Sequence, residues 1–540
     1  MTTGRTIAND SGATNSTWMS EKVPSFDEEI PDGARPDVCV IGAGIAGLSV
    51  ALALVQEGLD VLVIDQGPIG GGQTARTSAH LTSALDDGFR VLEKHFGRAG
   101  AKLCAESHAK AIDTIEANTH AFAIDCQFRR VDGYLWSPIA EPNGHAKGLP
   151  RELDKELMAA RRAGLTADEV AKAPLPFDTG PCLRFAMQAE FHPLAYLRGI
   201  AEAIVRGGGH IATHCHVANV KDGAPVEIEL KSGRKLQASA VVDATNMSIT
   251  SRINIPTREA SYRTYCIAVE VPLGYVPHGL YWDTLDPYHY VRVTKGDMDR
   301  EILIVGGEDH RVGHGDPEIH FPRLEAWLRE HFPEAGPAVA TWSGQIQEPH
   351  DGMAYIGLLP HNQHIYVVTG DSGEGLTHGV IAGLMMPTLI QGREHPWSRV
   401  YSPNRTRLNG LTTMAAESAK SNAPYMDWMR GGGVESIDQI APGHGATIRR
   451  GLHVIAAYKD EHGQCHLKNA RCTHLSGVVR WNEVEKTWDC PCHGSRFDAY
   501  GRVLNGPAIT DLDAAPAEIE SPTEIPAPVL GDEVMPLRPA

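Results

Sequence analysis

The sequence predicts an α/β domain built on a parallel sheet, interleaved with an antiparallel sheet and followed by a small all-β module. Three observations predict this architecture. A strand, a glycine turn, a helix and a second strand follow one another over residues 37–65. Stretches at 261–270 and 288–293 alternate apolar and polar residues, as half-buried antiparallel strands do. Beyond residue 450, short strands and turns surround two clusters of cysteine and histidine.

The first glycine turn has the pattern of a dinucleotide-binding, Rossmann-like fold. The apolar run 37–41 leads into Gly42-Ala43-Gly44-Ile45-Ala46-Gly47 and then into a helix predicted over 48–57. Gly42 would make the tight turn, Gly44 would let the backbone approach a pyrophosphate, and Gly47 would let the helix pack on the strand. The next strand ends in Asp65, about twenty residues beyond the glycines, where a carboxylate bonds a ribose. The alternative is a glycine-rich turn in some other α/β unit, but such a turn does not require the strand, helix, second strand and acidic residue that accompany the glycines here.

The glycine pattern alone serves FAD and NAD equally, so three later segments matter. Residues 70–80 form a polar, glycine-rich loop, 240–245 a strand ending in a turn, and 365–376 a strand, a glycine turn and a helix. Glycines at a helix N-terminus suit an anion or a flavin. Over residues 35–405 the chain resembles the FAD-dependent amine and amino-acid oxidoreductases, the D-amino-acid oxidase and glycine oxidase group.

This resemblance implies one extended FAD, with its adenine near Val217 and its isoalloxazine ring at 370–377. Members of the group usually carry Glu where this chain has the shorter Asp65. His80 ends the polar loop, where some relatives attach FAD covalently to a histidine; the alternative is a His80 that hydrogen-bonds the flavin or the backbone. The residues expected to bind FAD are Gly42, Gly44, Ile45, Ala46, Gly47, Asp65, Gln73, Thr74, Arg76, Thr77, Ser78, His80, Val217, Ala244, Thr245, Gly370, Asp371, Gly375, Leu376 and Thr377.

No second G-x-G-x-x-G pattern follows a strand in the sequence. The candidate at 304–307 runs into Glu308 and Asp309, which are acidic where a phosphate would have to lie. Reductases that draw electrons from NADH normally carry a separate nicotinamide site. Its absence from the sequence pattern favours electrons that enter from an organic substrate oxidised directly at the flavin.

The two cysteine and histidine clusters, Cys472-Thr473-His474 and Cys490-Pro491-Cys492-His493, are separated by fifteen residues. One Cys and one His from each cluster suit a [2Fe–2S] centre of mixed ligation, in which Cys472 and Cys490 hold one iron and His474 and His493 the other. The alternatives are a structural zinc, whose ligands usually come as a Cys pair and then a His pair, and a metal-free disulfide module.

These clusters resemble the two ligand loops of a Rieske domain, and Gly506-Pro507-Ala508 resembles the loop that covers its cluster. The resemblance implies a free thiol at Cys492, because the usual disulfide partner position holds Gly477. It also implies that Ser495 donates a hydrogen bond to the cluster, whereas Phe497 replaces the tyrosine that donates in high-potential members. We therefore expect a potential in the middle or lower part of the Rieske range, roughly −150 to +300 mV.

Bulk composition excludes some functions. The formal charge of −18 disfavours nucleic acid as a partner. No apolar run approaches eighteen residues, so we expect no membrane span. Residues 1–24 contain no apolar signal-peptide core. The ten cysteines do not form a secreted disulfide framework, and a reducing cytoplasm is the expected compartment.

Motif order predicts how the domains are arranged. We expect a mobile N-terminal segment at 1–34, a flavin oxidoreductase domain at 35–405, a connector at 406–433 and a Rieske domain at 434–540. The flavin domain is discontinuous. Its FAD-binding parts are predicted at 35–110, 186–257 and 345–402, and its substrate-domain parts at 111–185 and 258–344.

The fusion resembles a bacterial set of FAD oxidoreductases with a C-terminal Rieske domain. It predicts an enzyme acting on CH–NH or CH–NH₂ donors, an amine or amino-acid dehydrogenase, that passes electrons singly through the cluster to a protein, a quinone or oxygen. Two alternatives remain: a reductase component serving an oxygenase, and a non-catalytic redox sensor. The candidate pocket residues are His80, His310, Tyr134 and Arg292, each weighed against a packing or surface role. Arg292 could pair with a substrate carboxylate.

Overall fold

The computed structural model describes residues 11–26, 29–138, 149–251, 253–405 and 432–516. The helices are α1 (Ile45–Gln56), α2 (Phe89–Ala121), α3 (Arg151–Ala163), α4 (Pro193–Arg206), α5 (His320–His331), α6 (Gly375–Ile390) and α7 (Ser398–Tyr401). The strands are β1 (Val38–Ile41), β2 (Val61–Ile64), β3 (His80–Leu81), β4 (Arg129–Trp136), β5 (Ala167–Val170), β6 (Cys182–Glu190), β7 (His210–Ala212), β8 (Val217–Lys221), β9 (Val226–Leu230), β10 (Lys235–Ala238), β11 (Ala240–Asn246), β12 (Glu259–Pro272), β13 (Leu280–Asp283), β14 (His289–Lys295), β15 (Arg300–Arg311), β16 (Ala338–Pro349), β17 (Tyr355–Leu358), β18 (Ile365–Thr369), β19 (His444–Arg450), β20 (His453–Lys459), β21 (Cys465–Asn469), β22 (Arg480–Asn482), β23 (Thr487–Asp489), β24 (Arg496–Asp498) and β25 (Val503–Asn505).

The first sheet has six strands in the order β17, β18, β11, β1, β2, β7. Its pairs are parallel except for β17 with β18. All residues of β1 and β2 are buried, as expected for apolar strands covered on both faces. Helix α1 begins at Ile45, three residues before the predicted start, and packs closely on α6. A Cβ at Gly383 of α6 would lie only 2.6 Å from the carbonyl oxygen of Ser49, so that residue must stay small.

The second sheet has nine strands and joins distant parts of the chain in the order β16, β12, β15, β14, β13, β4, β6, β3, with β5 beside β6. Strands β12, β15 and β16 pair antiparallel, as the alternation predicts. One expectation is wrong, however, because β12 is not half-buried but almost entirely buried. Tyr265 and Ile267 pack in one cluster with residues of α5, whereas Cys266 and Ala268 pack in the main core of the flavin domain. The second covered face cannot be inferred from the strand's own pattern.

The C-terminal module is all-β, with a three-stranded sheet (β19–β21) and a four-stranded antiparallel sheet (β22–β25). The predicted connector at 406–433 lies almost wholly outside the described residues. The N-terminal prediction is wrong for residues 11–26. There Trp18 is only 1% exposed and its indole nitrogen donates to the carbonyl oxygen of Thr77. Among the described residues, no helix has both the length and the apolarity to span a bilayer.

Candidate active site

A large cleft opens at the carboxyl ends of the parallel strands, between the six-stranded and nine-stranded sheets. Its empty space is about 2100 Å³, including the open mouth. All the residues predicted to bind FAD line this cleft except Gly47, Gly370 and Thr377. Gly47 has the predicted packing role, because a Cβ there would overlap the carbonyl oxygen of Gly42. The hydroxyl of Thr377 lies 2.8 Å from His108 Nδ1, outside the cleft, and forms a hydrogen bond with it.

The first glycine turn leaves room for a phosphate at the N-terminus of α1. Gly42 has φ 109°, which favours glycine, and a Cβ there would collide with the carbonyl of Ala244 in β11. The hydroxyl of Thr74 accepts a hydrogen bond from the amide of Ile45, at 3.1 Å. The end of the helix is thus lined by small groups and a hydroxyl, and its dipole favours an anion there.

Asp65 stands at the end of β2, as predicted. Its carboxylate accepts from the amides of Ala43, at 2.6 Å, and Gly67, at 2.8 Å. These two bonds fix the side chain beside the glycine turn, where it lines the cleft. A contact between Asp65 and the ribose stays a prediction.

Arg76 is the predicted FAD residue whose charge is engaged elsewhere. Its guanidinium is buried and donates to the carbonyl oxygen of Ser343, at 2.8 Å, and to the hydroxyl of Thr14, at 2.9 Å. It also forms an ion pair with Glu485 of the C-terminal module. The charge of Arg76 therefore serves an interface between domains.

The wall formed by the nine-stranded sheet is aromatic. Trp282, Tyr288 and Tyr290 line it together with Thr264, Gln345 and His80. His80 Nδ1 lies 2.9 Å from the hydroxyl of Ser78, and its ring meets Tyr290 edge-on. Burial, helped by the charge of Arg292, lowers the pKa of His80 to about 3, so its imidazole is neutral. Covalent attachment of FAD to His80 stays a prediction.

The other three catalytic candidates lie outside the cleft. Tyr134 stacks on Tyr281, with ring centroids 5.4 Å apart. His310 stacks on His320, beside α5. Arg292 donates to the carbonyl oxygen of Ala79, at 2.6 Å, and lies over the ring of Trp18. The contacts of these three residues therefore fit the packing role that was weighed for them better than a role in the pocket.

Three carboxylates line the acidic end of the cleft, Asp86, Asp371 and Glu374. Sequence reasoning included Asp371 among the FAD-binding residues but missed Asp86 and Glu374. Asp86 stays open to solvent, yet the surrounding protein desolvates its carboxylate, and with Asp87 this raises the pKa to about 7. Burial raises the pKa of Asp371 to about 6. Burial and the charges of Asp86 and Asp371 raise the pKa of Glu374 well above its usual value. The dipeptide Asp86-Asp87 was the available signal, but an acidic pair in a loop is usually solvated.

In the C-terminal module the four predicted ligands lie in two pairs, one of thiols and one of imidazoles. Cys472 and Cys490 are buried and their thiols hydrogen-bond each other. The imidazoles of His474 and His493 meet edge-on, with centroids 5.0 Å apart. The buried Nδ1 of His493 has no hydrogen-bond partner within the described part of the chain. A pair of thiols and a pair of imidazoles, with an orphaned nitrogen on His493, are the donor types that a two-iron centre of mixed ligation needs.

The surroundings of these ligands also agree with the sequence. Cys492 is a buried free thiol, as predicted. A Cβ at Gly477 would come within 2.6 Å of its sulfur, so the loop needs glycine here. The hydroxyl of Ser495 accepts from the amide of Ala508, at 3.1 Å, and reaches the thiol of Cys472. Phe497 is fully buried.

The second ligand loop is seated directly on the wall of the cleft. Gln345 Nε2 donates to the carbonyl oxygen of Gly494, at 2.9 Å, and the hydroxyl of Ser261 donates to that of His493, at 3.3 Å. Asn505 donates to Gln345 Oε1, at 3.2 Å. The segment that the sequence predicts to cover the ligands lines the cleft, through Val503, Leu504, Asn505, Gly506, Ala508 and Ile509.

A buried ion cluster strengthens this contact. Glu485, in the turn between β22 and β23, lies 3.2 Å from Arg76 and 3.3 Å from Arg263. It also accepts from the hydroxyls of Thr14, at 2.6 Å, and Ser343. Burial alone would raise the pKa of Glu485, but the charges of Arg76, Arg263 and Arg496 outweigh it and lower the pKa to about 2.

Comparison with known proteins shows which family this chain belongs to. The model of the FAD dependent oxidoreductase family matches residues 37–387. The chain belongs to this family. The Rieske [2Fe-2S] domain model matches residues 433–516, so this FAD-dependent oxidoreductase carries a C-terminal Rieske domain. Its cofactors are FAD and a [2Fe–2S] cluster, which the donor sets described above fit, and the zinc alternative falls.

Known relatives are similar to this chain over most of its length. The Bacillus subtilis protein YhfW, named as a Rieske 2Fe-2S iron-sulfur protein, is 31% identical over 91% of this chain and 96% of its own length. Gamma-glutamylputrescine oxidoreductase of Escherichia coli is 26% identical over 66% of this chain and 84% of its own length. The crystal structure of glycine oxidase from Geobacillus kaustophilus superposes with a TM-score of 0.58 at 16% identity, covering 69% of this chain and 99% of that one. This last likeness shows the fold alone.

Proposed function

We propose that the protein oxidises a small amine or amino acid at the flavin and passes the electrons one at a time through the Rieske cluster to a protein, a quinone or oxygen. When bound, FAD supplies a hydride acceptor and the cluster a one-electron carrier. The observation that carries the proposal is the seating of the second ligand loop on the cleft wall through Gln345 and Ser261. None of the ten cysteines forms a disulfide in the structure, which supports a reducing cytoplasm as the compartment that we propose.

The residues of the cleft suit oxidation of an amine. Oxidation would break one C–H bond at the carbon bearing the nitrogen, the hydride would pass to the flavin held by the cleft, and the nitrogen lone pair would form a C=N bond. The aromatic wall of Trp282, Tyr288 and Tyr290 would exclude water and hold the substrate in place. An amine must be neutral to react, so the ammonium form must lose a proton before oxidation.

The interface supports electron transfer within one chain. Gln345 bonds Gly494 through its side chain, and its own amide donates to the side chain of Gln73, at 2.7 Å. Gln73 is among the residues that line the flavin cleft. A short, continuous set of contacts thus joins the cleft to the loop that carries Cys490 and His493.

The test is anaerobic stopped-flow mixing with a panel of amines, amino acids and polyamines, followed by flavin absorbance and by EPR of samples frozen at intervals. We expect bleaching of the flavin and then the mixed-ligand cluster signal, with a cluster rate independent of protein concentration. Gln345→Leu should slow cluster reduction more than flavin bleaching, whereas Gln363→Leu, at an exposed position, should change neither. A bleached flavin beside a cluster that stays oxidised would contradict the relay. Bleaching by NADH and by none of the amines would favour the reductase alternative.

A further inference from the structure

The cleft has an acidic end that no basic side chain matches. Asp86, Asp371 and Glu374 line it. Asp309 and Glu348 stand behind them, close enough for their charges to be felt: burial, together with Asp86, raises the pKa of Asp309 to about 7, and burial, together with Asp87, raises the pKa of Glu348 to about 8. Carboxylates packed this closely repel one another unless a cation joins them or a proton neutralises them.

Glu374 gives an independent sign that a ligand is missing. Its side chain is only 6% exposed, it stands at the cleft wall immediately before α6, and its Oε1 has no hydrogen-bond partner among the described residues. Asp309 Oδ1 likewise has none there. Buried polar atoms are normally paired, so an orphaned carboxylate oxygen at a ligand cleft calls for a donor from the ligand.

The charges that could bind a substrate carboxylate are engaged or absent. Within the described residues no lysine lines the cleft, and its one arginine, Arg76, is paired with Glu485. Arg292, the sequence candidate for this role, lies outside the cleft. Burial lowers the pKa of His80 to about 3 and that of His378 to about 4, so both imidazoles are neutral. A carboxylate at this end would meet only charges of its own sign, which rejects it.

We infer that the substrate is an amine with a second positive charge and no carboxylate, a diamine or polyamine rather than an amino acid. This inference rests on the proposed function and narrows its substrate class. One ammonium group of the substrate would pair with the carboxylates around Asp86 and Glu374, and the other nitrogen would be the one oxidised.

Three four-carbon probes separate the charges: 1,4-diaminobutane, butylamine and 4-aminobutanoate. Each offers a primary amine for oxidation, and their net charges near neutral pH are +2, +1 and 0. Binding to the oxidised, FAD-loaded protein is measured by anaerobic calorimetry, and flavin bleaching is followed separately. We expect affinity to fall in that order, by at least tenfold from first to last, and added salt to weaken the diamine most.

Two variants assign the effect to the cleft. Asp86→Asn and Glu374→Gln should each lower the affinity for the diamine about tenfold while changing that for butylamine much less. Asp297→Asn removes an exposed carboxylate far from the cleft lining and should change neither. FAD absorbance confirms that each variant is folded and loaded.

The outcomes separate this inference from the proposed function. If 4-aminobutanoate binds as tightly as the diamine, if no diamine binding is measurable, or if neither cleft variant changes the affinity ratio, the inference is wrong, whether or not amines bleach the flavin. If the diamine binds in the expected order but no amine bleaches the flavin, the proposed function fails and the recognition inference stands.

Discussion

The flavin cleft and the interface with the Rieske domain hold buried carboxylates in opposite states. At the interface, Glu485 lies between Arg76 and Arg263, and its pKa falls to about 2. In the cleft, Glu374 is also buried, but the charged groups that act on it are all carboxylates, and its pKa rises. Burial raises the pKa at both places. The neighbouring charges therefore decide whether the pKa of a buried carboxylate falls or rises. We interpret the ion-paired carboxylate as part of a permanent contact and the unpaired one as part of a ligand site.

The largest expected effect tests whether the two regions are separate sites. Replacing His474 with Ala removes one of two ligands from one iron, so the mixed-ligand EPR signal should disappear altogether. FAD should stay bound at full occupancy, because no described FAD-cleft residue belongs to the ligand loops. Iron, acid-labile sulfide and flavin content check both halves. His462→Ala, at an exposed turn of the same module, is the control and should keep its cluster. Loss of FAD together with the cluster would show that the two sites depend on each other.

The second-largest expected effect comes from removing the ion-paired carboxylate at the interface. Glu485→Gln leaves Arg76 and Arg263 buried without a counter-charge, which we expect to cost about 3–5 kcal/mol. Denaturant unfolding measures the loss, and intramolecular reduction of the cluster should slow because the docked loop is released. Glu461→Gln, an exposed carboxylate in the same domain, should cost little. A change below about 1 kcal/mol for Glu485→Gln would mean that the ion cluster does not hold the interface.

The stability of the protein should depend on pH in opposite directions for the two regions. The pKa of Glu485 is lowered to about 2, so the stability it contributes is present above its unfolded value of about 4.3 and is lost as pH falls from there towards 2. The pKa of Asp86 is raised to about 7, so the folded state binds the extra proton, and stability falls as pH rises from about 4 towards 7.

Thermal unfolding across this range should therefore show both trends. Glu485→Gln should flatten the acid limb and leave the neutral one. Asp86→Asn should leave the acid limb and make the neutral one shallower, because the other cleft carboxylates with raised pKa values remain. Saturating 1,4-diaminobutane should also flatten the fall towards pH 7, because it supplies the missing positive charge. A single variant that removed both limbs would contradict the assignment of each limb to its own region.

The comparison also explains which features the sequence could predict. Gly47 and the four cluster ligands were predictable because their roles depend on residues nearby in the chain. The pairing of Arg76 with Glu485 was not, since the two residues are 409 positions apart and Glu485 stands in no distinctive pattern. Tyr134 and His310 were misplaced for a related reason. Alternation shows that a strand has two faces, but it does not show that α5 and its aromatic neighbours cover the face on which these side chains lie.

The smallest expected effect concerns the cluster itself. A hydrogen bond to a cluster sulfur stabilises the reduced, more negative state and raises the potential. Ser495 reaches the thiol of Cys472, but Phe497 is a buried ring without a donor. Phe497→Tyr should add one net bond of about 1 kcal/mol, which for one electron corresponds to a rise of roughly 40 mV. Phe497→Leu, which lacks the hydroxyl, is the matched control for packing and should not raise the potential.

Voltammetry or an EPR titration measures the potential of the wild type and both variants. Because one of the two donors is missing, the wild-type value should lie in the middle or lower part of the range of roughly −150 to +300 mV. That value lets the cluster accept electrons from a reduced flavin but makes it a poor oxidant of quinols. A wild-type potential near the top of the range would show that Phe497 does not control it. A tyrosine hydroxyl that lowered stability without moving the potential would show that it does not reach a sulfur, since a buried hydroxyl without a partner is costly.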